Sequence, residues 1–233
     1  MNTFADYYDA LMSDPEATLA WKRFVTDRVT SGPILELACG HGELAELLAR
    51  DGYGVTALDL DEGMIQRARL YHQHPNLTFI QKDMRDLSDL GLFEAILCFG
   101  DSLNYLQDED EVESFLKECL QHLAIKGVLL FDMHTDLRLE EFKEMYIEEG
   151  FIEHTAYQWT IQTEEPNKIH HTFAFYPEGD SVEVHRFSQT VFDCDRIKHI
   201  LENLQTEVEL KYDFIYDTKG TSEKVFFTIR KQK

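Results

Sequence analysis

The run Ile34-Leu35-Glu36-Leu37-Ala38-Cys39-Gly40-His41-Gly42 restricts what this chain can fold into more than any other stretch. It begins as an apolar strand with one acid and ends in a turn that only small residues can make. Glu43 to Arg50 then reads as a helix, with apolar residues at 44, 45, 47, 48 and 49 and charges between them. Strand, glycine turn and helix N-terminus in that order bring backbone N–H groups close to a ligand. Gly40 and Gly42 fit a turn that passes beside a ligand or needs positive φ. A Gly-x-Gly pair alone is weak evidence, because glycines make turns in many settings. Here a second apolar strand, Gly54 to Asp59, follows and ends in an acid 19 positions after Gly40. That is close to the roughly 20 residues expected for an acid gripping ribose hydroxyls. Glu36 and Asp59 thus stand at matching ends of two neighbouring strands.

The rest of the first half repeats the pattern. Asp61 is an N-cap for a helix running to about Tyr71, Leu77–Ile80 alternates as a third strand, and Lys82-Asp83-Met84-Arg85-Asp86 follows it. Phe93–Phe99 is a fourth strand leading into Gly100-Asp101-Ser102-Leu103-Asn104-Tyr105. A helix over about 110–123, a Lys126-Gly127 turn and a fifth strand, Val128–His134, come next. Short apolar strands alternating with helices imply an α/β fold with a doubly wound parallel sheet. Ligands bind such sheets beyond the C-terminal strand ends, and here those ends carry acids: Asp59, Asp83, Asp101 and Asp132.

Two segments depart from that alternation. Residues 1–15 are aromatic and acidic, with Tyr7, Tyr8 and Asp9, and precede a helix opened by Pro15 that carries Trp21, Phe24 and Val25. Tyr8 and Trp21 suit either packing on the domain or a lid over its ligand. Around residue 138 an acidic helix (139–145) gives way to three segments with strand alternation, about 152–163, 168–176 and 181–192, separated by Pro166-Asn167 and Glu178-Gly179-Asp180. This reads as an antiparallel meander. A helix over 193–204 and strands over 207–215 and 224–229, joined through Lys219-Gly220-Thr221, close the chain.

Composition narrows the function. At 233 residues the chain suits one well-filled α/β core with a small insert. Its 44 acids against 22 bases give a formal charge of −22, which repels phosphate backbones and disfavours general nucleic-acid binding. The four cysteines are scattered without a Cys-x-x-Cys pair, so a reducing, cytoplasmic setting is expected. No signal-peptide pattern and no apolar run near the roughly 20 residues of a membrane span are present. Ten histidines include no His-Glu-x-x-His or comparable spacing, so no metal site is expected.

The Glu36–Gly42 run, with Asp59, Lys82-Asp83-Met84 and the closing hairpin, resembles class I S-adenosylmethionine-dependent methyltransferases. The Tyr-Tyr-Asp start and Met84-Arg85-Asp86 bring it close to the small-molecule branch that contains the sugar N-methyltransferases, and closest to the YqeM-type bacterial methyltransferases. The resemblance covers residues 5–135 strongly and the last 40 by topology. It implies a seven-stranded Rossmann-like sheet formed by residues 1–137 and 193–233, which bind S-adenosyl-L-methionine. It also implies an antiparallel β subdomain, 138–192, inserted after the fifth strand and covering the acceptor site. Ala38, Gly40 and Gly42 would pass the methionine moiety with Glu36 nearby. Asp59 would accept from both ribose hydroxyls. Leu60, Met64 and Met84 would pack on adenine and Asp83 accept from its amino group. Phe99 and Gly100 would line the sulfonium region, closed by Tyr8 or Trp21. Many members carry glycine where this chain has Ala38.

The implied reaction is in-line transfer of a methyl group to nitrogen or oxygen of a small-molecule acceptor. The protein then supplies chiefly alignment and a deprotonated nucleophile. His134 at the fifth strand's end is the candidate base, with His170, His171 and His185 behind it; Asp101, Asn104 and Tyr105 would orient the acceptor. Two other classes fit part of the pattern. Gly40-His41-Gly42-Glu43-Leu44-Ala45 also matches a dinucleotide fingerprint, hence a nicotinamide dehydrogenase. A non-catalytic protein that binds S-adenosylmethionine or a partner would keep the cofactor site and lose turnover. No membrane partner is expected, and a homodimer is left open.

Overall fold

The structure, a computed structural model, describes residues 4–164, 166–179, 181–214 and 218–232. The first part runs α1 (Phe4–Met12), α2 (Pro15–Thr26), β1 (Pro33–Leu37), α3 (Glu43–Arg50), β2 (Gly54–Asp59), α4 (Glu62–Tyr71), β3 (Leu77–Gln81), β4 (Phe93–Cys98), α5 (Glu109–His122) and β5 (Leu123–His134). Then come α6 (Leu137–Glu141), β6 (Tyr146–Ile152), β7 (Thr155–Glu164), β8 (Lys168–Tyr176), β9 (Glu183–Thr190), α7 (Cys194–Asn203), β10 (Thr206–Lys211) and β11 (Lys224–Lys231). Asp14, Asp61, Asp108 and Asp193 cap α2, α4, α5 and α7 by accepting backbone N–H groups of the first turn. Each such cap is worth about 1 kcal/mol.

The main sheet has seven strands in the order β10-β11-β5-β4-β1-β2-β3. Strands β1 to β5 pair in parallel, and β11 runs antiparallel to β5 with Lys224 opposite His134 and Phe226 opposite Asp132. The order reverses between β1 and β4, so a crevice opens beyond their carboxyl ends. One face of the sheet packs under α5 and α7 through Phe115, Leu116, Ile197 and Leu201. The other packs under α2, α3 and α4 through Phe24, Leu48 and Ile65. Residues 128–134 of β5 are buried throughout, as a central strand covered on both faces must be.

Strands β6 to β9 form a second, antiparallel sheet in sequence order. It has four strands where the alternation implied three. The expected helix over 139–145 is only α6, and residues 146–152 instead pair with β7. Their acids are satisfied across the strands: the Tyr157 hydroxyl donates to Glu148 at 2.7 Å and Gln158 to Glu149 at 2.6 Å. A second departure lies before β5. The expected Lys126-Gly127 turn is a bulge inside one strand, because Leu123 pairs with Phe93 while Val128 pairs with Ala95. The link from β3 to β4 contains turns and no helix. The expected strand end at Ile215, Asp180 of the second insert turn and Met1–Thr3 lie outside the described residues.

The two sheets meet around α1. Tyr7 stacks on Phe175 with ring centroids 4.2 Å apart, while Phe4 lies against Phe173, Phe175 and Phe187. On its other side α1 is held to α4 by Arg67, which bonds Asp9 at 2.5 and 3.0 Å and also Asp6.

The glycine turn separates the two residues expected to act alike. Gly40 (φ 53) has nothing within 4 Å of where a Cβ would stand, whereas at Gly42 (φ 85) that Cβ would lie 2.5 Å from the Phe79 ring. Gly42 is therefore demanded by helix–strand packing. Gly42→Ala is expected to lower unfolding stability by about 1–3 kcal/mol through strain and overpacking. Urea unfolding checks this: the midpoint should fall with the slope unchanged.

Candidate active site

The crevice at the reversal point is a cavity of about 830 Å³ lined by the ends of β1, β2 and β4, by α1 and α2, and by Phe187 and Lys224. Of the residues expected to hold a cofactor, Tyr8, Trp21, Glu36, Ala38, Gly40, Asp59, Leu60, Met64, Asp83, Met84 and Phe99 all line it, as do Gly100, Asp101 and Tyr105. Gly42 and His134 do not. His134 is 3% exposed and lies one layer behind the wall. It cannot meet an acceptor directly, which corrects its expected role as the group that touches substrate.

Ala38 has φ 50, a left-handed conformation that costs a residue with a Cβ about 1–2 kcal/mol. This is the physical reason a glycine suits the position. Glu36 is buried on β1; its neighbour is the Ala45 N–H, and its Oε2 has no hydrogen-bond partner. Burial, reinforced by the negative charge of Asp59, pushes its carboxyl up to about 8. Asp59 accepts from Gly40 N at 2.8 Å and Asp61 N at 2.9 Å, bonds that hold the turn in place and oppose the upward push of burial. Trp21 and Phe99 stack at 5.8 Å, their planes nearly parallel, beside Gly100. Asp83 gives both carboxylate oxygens to Arg85, at 2.6–3.0 Å, and its pKa is lowered by that pairing.

At the far end, Asp101 stands at φ 61 beyond β4, with its N–H on Asp132 Oδ1 at 2.9 Å. Lys224 reaches Asp101 Oδ2 at 2.8 Å and Asp132 Oδ2 at 3.7 Å. Burial opposes ionisation of Asp101, yet the Lys224 ammonium holds its carboxyl below the usual range. Asp132, fully buried, is pushed up to about 6, partly restrained by Lys224. Lys224 itself is raised by the two carboxylates against its own burial. Tyr8 and Tyr105 share a hydrogen bond here, and burial raises both phenols. Asn104 is turned away from the cavity: it accepts the His134 N–H at 3.0 Å and donates to Thr190 O at 2.7 Å.

The insert histidines divide. His171 is half-buried between Trp159 and Gln189, with its pKa pushed down to about 4 chiefly by burial. His170 bonds Ser188 and Glu164 at the surface, and His185 lies on the Phe4 ring. Lys224 and Gln189 went unnoticed in the sequence. Only the β11–β5 register brings Lys224 beside Asp132, and no local motif marks it. Asp9 meets His41 at 3.1 Å, fastening α1 over the glycine turn.

An orphaned buried carboxylate oxygen, an acid fixed at the second strand's tip and an unobstructed Gly40 suit a ligand bearing positive charge and a diol. That fits S-adenosylmethionine, whose amino and sulfonium groups are cationic. Among the described residues no group of three or more His, Cys, Asp or Glu could hold a metal. No helix there is long and apolar enough to cross a membrane.

Comparison with known proteins agrees with the fit. A methyltransferase-domain family model matches residues 34–127. YqeM of Bacillus subtilis (strain 168), described as a methyltransferase, is 31% identical over 244 residues, covering 99% of this chain and 96% of its own. A S-adenosylmethionine-dependent methyltransferase from Clostridium acetobutylicum ATCC 824 shares the fold with TM-score 0.81 at 21% identity, covering 99% of this chain and 98% of its own. The sugar N-methyltransferase KedS8 from Streptoalloteichus sp ATCC 53650 does so at TM-score 0.79 and 18% identity, covering 99% and 94%. Sheet order and cavity define a class I S-adenosylmethionine-dependent methyltransferase. The chain belongs to that family, in its YqeM-type branch. The dehydrogenase reading of Gly-x-Gly-x-x-Ala is thereby set aside.

Lys224→Met would leave two buried carboxylates facing each other, at a cost on the order of 3 kcal/mol. A carboxyl whose folded pKa lies above its unfolded value lowers stability as pH rises between the two. Asp132 already titrates near 6, and loss of Lys224 raises it further. The deficit should therefore be large at pH 8 and shrink towards pH 5. Urea unfolding across that range checks it; a deficit independent of pH would contradict the ion-pair account.

Proposed function

We propose that this protein transfers the methyl group of S-adenosylmethionine to nitrogen or oxygen of a small-molecule acceptor, with an amine favoured. The partnerless, buried Glu36 oxygen in the cavity wall carries the reading, because a cationic ligand is what relieves it. S-adenosylmethionine, when bound, supplies an electrophilic methyl group on positively charged sulfur. Glu36 faces the charged methionine end, and Ala38 and Gly40 let backbone approach it. Asp59 keeps acceptor capacity for two ribose hydroxyls beyond its two backbone bonds. Leu60, Met64 and Met84 pack on adenine. Arg85 occupies Asp83, so apolar contact carries most of the recognition there. Trp21, Phe99 and Gly100 bound the sulfonium region and exclude water.

The acceptor enters between Tyr8, Tyr105, Asp101 and Phe187, under the antiparallel insert. Acids outnumber cations around the cavity, which favours an amine, and the KedS8 neighbour is a sugar N-methyltransferase. The residues that face the acceptor align it and take up its proton.

Calorimetric titration with S-adenosylmethionine, S-adenosylhomocysteine and NAD tests the cofactor. Micromolar binding of the first two is expected and none of NAD; the reverse would end this reading. Asp59→Ala should weaken S-adenosylmethionine binding several-fold to a hundredfold by stranding ribose hydroxyls. Glu36 adds a pH signature. Its carboxyl is protonated below about 8 in the free protein, and a cationic ligand prefers the carboxylate. Binding should therefore release a proton at pH 7 and tighten as pH rises towards 8. Titration in buffers of different ionisation enthalpy measures that proton, and Glu36→Gln should abolish it. Screening amines and alcohols for release of S-adenosylhomocysteine then finds the acceptor; binding without release from any acceptor would leave a non-catalytic binding protein.

A further inference from the structure

Five side chains form one line of polar contacts from the insert to the cavity wall. Trp159 Nε1 donates to His171 Nδ1 at 3.3 Å; His171 Nε2 and His134 Nε2 each lie 3.0 Å from Gln189 Oε1; His134 Nδ1 lies 3.3 Å from Asp101 Oδ1. Its direction is fixed at one end, because an indole N–H can only donate. His171 accepts at Nδ1 and, kept neutral by burial, carries its hydrogen on Nε2. That donor requires the oxygen of Gln189 rather than its amide nitrogen. The same oxygen faces His134 Nε2, which must also bear a hydrogen. Burial disfavours a charged His134, and its Nδ1 makes no hydrogen bond, so Nδ1 is the nitrogen without a hydrogen.

The outcome is unusual. Two buried acceptor atoms, His134 Nδ1 and Asp101 Oδ1, stand 3.3 Å apart with no hydrogen-bond partner for either. One proton would satisfy both. Asp101 is the member that lines the cavity, with Tyr8 and Tyr105 beside it. Lys224, Asp132 and Arg138 complete the charges around the pair, and the net attraction of Lys224 keeps Asp101 ionised.

We propose that Asp101 and His134 together receive the proton lost by the acceptor, and that Gln189, backed by His171 and Trp159, is the positioning residue that keeps His134 Nδ1 free to take it. This rests on the methyltransferase reading above. As the acceptor's lone pair takes the methyl group, its N–H or O–H bond breaks with the electrons staying on the acceptor. The proton passes to the Asp101 carboxylate and comes to rest on His134 Nδ1, whose lone pair forms the new N–H bond. The resulting imidazolium donates from both nitrogens, to Asp101 and to Gln189, so no contact rearranges. The opposite tautomer would already donate to Asp101, and its empty nitrogen would face Gln189, away from the cavity.

The test is NMR of the full chain labelled with ¹⁵N-histidine, in the wild type, Gln189→Leu and Trp159→Phe. In the wild type both His134 and His171 should carry hydrogen on Nε2. Gln189→Leu should move the His134 hydrogen to Nδ1, against Asp101. Trp159→Phe keeps the stacked ring but frees His171 and Gln189 to turn, and His134 should become a mixture. With the acceptor found by the screen, kcat should fall about 10–100-fold in Gln189→Leu, while the Kd for S-adenosylmethionine stays the same. A wild-type His134 with its hydrogen on Nδ1 overturns the proposal, as does an unchanged His134 tautomer or an unchanged kcat in Gln189→Leu. Should Gln189→Leu not fold, the wild type and Trp159→Phe decide between the same outcomes. Failure of S-adenosylmethionine to bind the wild type would overturn the methyltransferase reading instead, and the tautomers would stand apart from it.

Discussion

Lys224 between Asp101 and Asp132 is the contact on which the β4–β5 end of the cavity depends. Asp132 is 0% exposed at the end of a central strand, where the backbone N–H groups of Asp101 and Gly100 and this ammonium face it. The lysine arrives on β11, the antiparallel strand that closes the sheet. Strand closure and site charge are thus a single event: until β11 pairs with β5, Asp101 and Asp132 at the ends of β4 and β5 lack the ammonium that pairs with both. The Phe131–Phe227 stack at 4.5 Å, three register positions along, supplies apolar adhesion for that pairing. A purely hydrophobic pair of strands would hold as well. What the charged arrangement adds is an ionised carboxylate in a place where burial alone would protonate it.

A second dependency joins the insert to the cavity through α1. That helix is too short to be stable alone. It is ordered by Arg67 of α4 on one side and by the Phe173–Phe175 face of the insert on the other. Its Tyr8 and Asp9 therefore reach the cavity only when both sheets are in place. Phe173, Phe175 and Phe187 of the insert pack against α1. Phe173 and Phe175 are buried, while Phe151 at the outer edge strand stays exposed.

The ligand-binding half was legible because its signals are local. Ile34 to Gly42 encodes strand, acid and turn, Gly54 to Asp59 encodes strand and acid, and the fold places Glu36, Gly40 and Asp59 around one cavity. What was not legible depends on pairing across long separations. Gln189 lies 55 residues from His134 in sequence, and its neighbours look like any alternating strand. The same limit misassigned Gly42. Its glycine follows from a Phe79 ring 37 positions away, yet in sequence it is indistinguishable from the Gly40 that borders the cavity. The fourth insert strand was missed because residues 146–151 carry Glu148 and Glu149 side by side, and only Tyr157 and Gln158 across the sheet satisfy them.

The burial of Glu36 links stability to binding through one group. An acid enclosed beside Asp59 and pushed up to about 8 holds a proton at neutral pH, so the free protein avoids two adjacent buried charges. That protonated state costs the fold little, but it leaves an oxygen in the wall without a partner. A cation entering the cavity reverses the balance: the carboxylate becomes the favoured form, and Asp59 no longer needs a neutral neighbour. The site is thus tuned against empty occupancy by anions and neutral molecules, while a positive ligand gains both an ion pair and the release of that frustration.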